Sequence, residues 1–115
     1  MDKPPRGSRS SPAAGPGSTR RAAIEAALKA IAPRIPRFEA EAVIDHALDS
    51  PGLRPAAPEA AAWLSLVAYV RHVLTEYDAL LEDGYDQDSA RFFVLEPINA
   101  MLEGWGARRR VGEGE

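Results

Sequence analysis

The apolar positions of this chain fall into four runs, and in each they recur three and four residues apart, the spacing that lines one face of a helix. Ile24, Ala27, Leu28 and Ile31 mark the first run, which Ser18 or Thr19 can cap and Pro33 closes. Pro36 suits the first turn of a second helix with Ala40, Val43, Ile44, Ala47 and Leu48 on one stripe, ended by Ser50, Pro51 and Gly52. Pro58 and Glu59 open the third. Trp63, Leu66, Val67, Val70, Val73, Leu74, Tyr77, Leu80 and Leu81 carry its pattern without interruption to Gly84, a natural left-handed cap. Asp86 can cap the fourth, where Ala90, Phe93, Val94, Ile98, Met101, Leu102 and Trp105 repeat, and Pro97 inside it predicts a kink or break near Glu96. No strand pattern competes. The expectation is an all-α, compact bundle of about four helices with a long central third helix.

Composition sharpens this picture at the ends. Residues 1–17 hold four prolines, three glycines and three serines but no aromatic or branched aliphatic residue, so they read as a disordered basic tail. Residues 18–107 form a single helical domain, and residues 108–115, with Arg108, Arg109 and Arg110, read as a short frayed tail. With 115 residues there is room for one domain only. No apolar run approaches the ~20 residues of a membrane span, and no secretory signal is recognisable, so the cytoplasm is the expected compartment and no membrane is expected as partner. The absence of cysteine removes disulfides, thiolate metal sites and cysteine nucleophiles.

Charge is segregated. Residues 1–37 carry eight basic and two acidic side chains, residues 38–107 three and thirteen. A basic arm on an acidic body either seeks a polyanion or folds back onto its own domain, and the second is the simpler outcome. Nucleic-acid binding through Lys3, Arg6, Arg9, Arg20, Arg21 and Arg108 to Arg110 is the alternative, disfavoured by a body that repels phosphate.

The third helix holds the candidate chemistry. Opposite its apolar stripe run Ala61, Ser65, Ala68, His72, Thr75 and Ala79, small residues that let another backbone approach, whether from this chain or from a second copy. On a continuous helix Arg71 and Asp78 lie within about 20° of each other at one edge, where they can pair or meet Arg91, while His72 points away. His72, Thr75 and Glu76 contain a possible base and orienter, but no nucleophile elbow or glycine-rich phosphate loop accompanies them. Glu82, Asp83, Asp86 and Asp88 crowd the next junction. As a calcium loop starting at Asp86 they would put Arg91 where glycine belongs and Pro97 where a glutamate belongs, so helix capping by Asp86 explains them better, and no metal or cofactor is expected.

One resemblance extends this reading. The motif Val70–Arg71–His72, Thr75, Tyr77–Asp78, Leu80–Leu81, Gly84–Tyr85–Asp86, Asp88 and Ala90–Arg91 resembles the bacterial family called domain of unknown function 2293, over about residues 20–107. That resemblance implies a single domain and supplies no activity. The residues themselves favour binding over catalysis: a small protein-interaction or self-associating module, with Arg71, His72, Thr75, Tyr77, Asp78, Asp86, Asp88 and Arg91 as a polar cluster and Ala61, Ser65, Ala68, His72 and Ala79 as an interface. An enzyme acting on an anionic substrate through Arg71, His72, Tyr77, Asp78 and Arg91 is the least favoured class.

Overall fold

The computed structural model describes the backbone of residues 16–113 and the side chains of residues 20–113. The expected disordered tail lies outside these residues up to residue 15. Every regular element among them is helical: α1 (Pro16–Ile31), α2 (Arg37–Asp49), a single 3-10 turn (Pro51–Leu53), α3 (Pro58–Val73), α4 (Tyr77–Glu82) and α5 (Gln87–Gly104). The all-α class stands, with the third run divided into two helices. α1 starts at Pro16, so Ser18 and Thr19 lie in its first turn and not ahead of it.

α3 is the hub, packed by α1, α2 and α5. Ile24 and Leu28 of α1, Val43 of α2, Leu66 and Val70 of α3, and Val94, Ile98 and Leu102 of α5 are withdrawn from water into one core. Polar groups join the same packing where they find partners. The buried Ser65 hydroxyl donates to the Val43 carbonyl at 2.7 Å, so a small side chain on α3 both admits α2 and bonds to it. The Arg20 guanidinium donates to the carbonyls of Leu53 and Ala56 at 2.9 and 3.0 Å, tying α1 to the connection between α2 and α3.

α3 stops at Val73 although no glycine or proline interrupts it. The cause is Thr75. Its hydroxyl donates back to the Arg71 carbonyl four residues earlier and accepts the Tyr77 N–H at 3.2 Å, replacing the backbone ladder with side-chain bonds. α4 then begins with the Leu80 N–H on the Glu76 carbonyl. It ends on Gly84 at φ 101°, where the Gly84 N–H donates to Leu81 and the Tyr85 N–H to Leu80, the paired bonds of a left-handed C-terminal cap.

α5 runs through Pro97 without the expected break, the proline lying on an exposed face where the Phe93 carbonyl can turn to water. Its end is fixed by Gly106. At φ 89°, with a Cβ there falling 2.9 Å from the Pro33 ring, only glycine fits without displacement. The Arg34 N–H donates to the Trp105 carbonyl at 2.8 Å and closes that contact between the loop after α1 and the end of α5. Beyond it, as far as residue 113, the expected tail returns to the domain. The Val111 backbone makes both its bonds with the buried Asn99 amide, at 2.7 and 3.1 Å, Val111 is buried, and Arg109 stacks over the Trp63 ring at 4.1 Å.

Candidate functional site

The break after α3 rearranges the polar cluster. Helical angles measured across residues 71–78 no longer apply, and the turn at Leu74–Glu76 brings α4 back against the last turn of α3. His72, expected to point away, meets Asp78: Nδ1 and Oδ1 are 2.7 Å apart, with both side chains about half exposed. Asp78 is thus hydrogen-bonded to His72 across the break. Arg71 is 8% exposed, its guanidinium 5.7 Å from the centre of the buried Tyr77 ring. The same ring meets His72 edge-on at 5.2 Å. Tyr77 thus supports both basic residues, and Thr75 fixes the backbone between them.

Five members of the expected polar cluster, Arg71, His72, Thr75, Tyr77 and Asp78, are gathered at this corner. Asp86 and Asp88 belong instead to the start of α5. Asp86 is the cap of α5, its Oδ1 accepting the Ser89 N–H at 2.7 Å, and that bond lowers its pKa from the ordinary 3.8. Asp88 is exposed in the first turn of α5, where the helix dipole favours a carboxylate. Arg91 is partly buried one turn into α5. Among the described residues no three potential ligands come together to hold a metal ion.

The small-residue stripe is also divided. Ala61 and Ser65 are fully buried by the chain's own helices, Ala68 is half-buried, and His72 and Ala79 are exposed on opposite sides of the α3–α4 break. No continuous stripe remains for a second copy to cover, because α2 already occupies its first half.

A different surface is left open. Val73 and Phe93, both assigned to core stripes by their spacing, are 58% and 56% exposed, beside Tyr85 at 45% and Phe92 at 62%. Tyr85 and Phe93 meet edge-on at 5.5 Å, and Phe92 and Phe93 at 6.1 Å. Val73 and Phe93 line one shallow groove with Leu74, Thr75, Glu76, Val94 and Pro97. A hint of this was present in the sequence: adjacent phenylalanines on a helix point about 100° apart, so Phe92 and Phe93 cannot both enter one core already holding Val94. Val73 carries no such hint, because its exposure follows from the break after it.

The family model described as "Uncharacterized conserved protein (DUF2293)" matches residues 27–106, which takes in every helix from the second half of α1 to the end of α5. No curated protein and no solved structure matches the chain.

Proposed function

The chain belongs to the DUF2293 family of conserved proteins, and from that premise we propose that it is a protein-binding module whose contact face is the surface of Val73, Tyr85, Phe92 and Phe93. The observation that carries this is the exposure of three contiguous aromatic rings, Tyr85 and Phe92 each set against Phe93, beside an exposed valine. Contiguous exposed apolar surface of this kind marks interaction sites on soluble domains, and aromatic side chains dominate the energetics of such contacts.

The corner supports this reading by what it builds. Thr75 ends α3 directly after Val73 and so leaves that valine on the surface. The glycine cap of α4 sets the direction of Tyr85, whose ring then meets Phe93. Residues Arg71 to Tyr85, the centre of the motif behind the family resemblance, thereby shape two sides of the face. The alternative of phosphate binding through arginines draws less support. Arg20 is used on backbone carbonyls, Arg21 on Asp45 at 3.0 Å and Arg109 on Trp63, all within the chain. Among the described residues no helix is long and apolar enough to cross a membrane.

A photo-crosslinking amino acid placed at Phe92 tests the face against an internal control at Ala26, exposed on α1. In native lysate, discrete adducts at position 92 that are absent at position 26 are expected. Equal labelling at both positions, or none at position 92, would contradict the proposal.

A further inference from the structure

The aromatic surface is ringed by carboxylates, and their placement defines the partner. Between Glu76 and Glu96 the chain carries seven acidic side chains and one arginine. Asp88, Phe92 and Glu96 follow one another four residues apart on α5, so both neighbours of Phe92 along that helix face are negative and exposed. Glu76 lines the groove beside Phe93, and Glu96 borders both phenylalanines. Asp86 follows Tyr85 directly and, as the cap of α5, is held in its ionised form by the Ser89 N–H. Arg110 reaches this rim from the C-terminal segment, bordering Phe92 and Phe93.

We infer that the face receives a cationic, amphipathic protein segment, a helix that sets bulky aliphatic side chains on Phe92 and Phe93 and lysines or arginines against Asp88, Glu96 and Glu76. The inference rests on the protein-binding reading above and names the partner's chemistry within it. Two competing occupants are disfavoured by the same charges. A second copy related by a two-fold axis would bring one carboxylate rim against another. An anionic lipid surface or a nucleic acid would meet the rim with like charge.

Unlike an exposed ion pair alone, which contributes little, this arrangement couples charge to an apolar anchor, so both parts are needed for tight binding. The test uses the full chain and three synthetic amphipathic peptides of about four helical turns, with leucine on one face and lysine, glutamine or glutamate on the other. By fluorescence anisotropy at about 0.05 M salt, the lysine peptide is expected to bind at least about tenfold tighter than the glutamine peptide, and the glutamate peptide weakest. Phe92→Ser/Phe93→Ser is expected to abolish the lysine peptide's advantage. Asp88→Lys/Glu96→Lys should weaken its binding about tenfold or more, and the isosteric Asp88→Asn/Glu96→Gln should weaken it less, in the same direction. Arg110→Glu should tighten it.

Several results overturn the inference. Equal binding of lysine and glutamine peptides, lost in the phenylalanine variant, would sink the cationic partner while sparing the protein-binding face. Lysine-peptide binding that ignores Phe92 and Phe93 would reduce the rim to non-specific charge. A dimer in light scattering that dissolves on Phe92→Ser would assign the face to a second copy. Failure of every peptide, together with a silent crosslinker at position 92, would remove both the inference and the reading beneath it.

Discussion

The two ends of α3 treat their side chains in opposite ways. Around its first three turns the chain packs on itself on all but the side of the exposed Leu64: Ala61, Ala62, Trp63, Ser65 and Leu66 are buried, the Ser65 hydroxyl has a partner, and Arg20 and Arg109 reach in from the two ends of the described chain. Past Val70 the same helix opens. Val73 faces water, the backbone turns on a threonine, and α4 and α5 present three aromatic rings among carboxylates. Both regions draw on the same apolar alphabet, so composition does not separate them. The difference is whether the apolar group has a neighbour. A chain that satisfies its polar groups at one end and leaves phenylalanines bare at the other breaks a local rule there, and on the proposed reading contact with a partner is the compensating gain.

Substitutions can break this contrast. The largest loss belongs to the closed region. Leu66→Ala removes a fully buried side chain of α3 and is expected to cost about 2–5 kcal/mol in equilibrium urea unfolding. A loss below about 1 kcal/mol would show that the core is not packed there. Next comes the C-terminal strap. Asn99→Ala leaves the buried Val111 N–H and carbonyl without partners, for an expected cost of about 1–3 kcal/mol and loss of hydrogen-exchange protection at the Val111 amide. An unprotected amide in the parent chain would instead mean that the segment is a loose tail after all.

At the corner the effect is smaller. The His72–Asp78 pair is about half exposed, so a double-mutant cycle with His72→Gln and Asp78→Asn should return a coupling of about 0.2–1 kcal/mol. The smallest effect is a pH dependence. Asp86 has a folded pKa below its ordinary 3.8, so its cap is fully present above that value and its contribution is lost as pH falls below it. Thermal melts of the parent and of Asp86→Ala should therefore converge in strong acid and differ above it, whereas a constant offset at every pH would deny the cap its ionised form.

Much of this molecule was legible before any coordinates. Helix class, the turn at Pro51–Gly52, the left-handed Gly84 and the Asp86 cap all follow from local chemistry, because glycine, proline and short polar side chains act within a few residues of themselves. The break at Thr75 was not legible, since a threonine mid-helix is tolerated as often as it interferes, and only the tertiary seat of Arg71 and Tyr77 decides which. That one event also misplaced His72 and Val73, as both assignments assumed an unbroken helix. Phe93 was misread for a different reason. Its spacing fits the core stripe, yet Val94 takes the core position beside it. The Asn99 strap needed knowledge of where residue 111 returns, which no periodicity encodes.

The account stands on the aromatic face lying outside the core, and equilibrium unfolding of the Phe92→Ser/Phe93→Ser variant addresses that directly. If the two rings are bare in the folded chain, their removal should leave the unfolding free energy within about ±0.5 kcal/mol per site, as for other exposed positions. A loss of about 3–5 kcal/mol per phenylalanine, the range for core aromatic truncations, would contradict it: the rings would then belong to the core and no free face would exist.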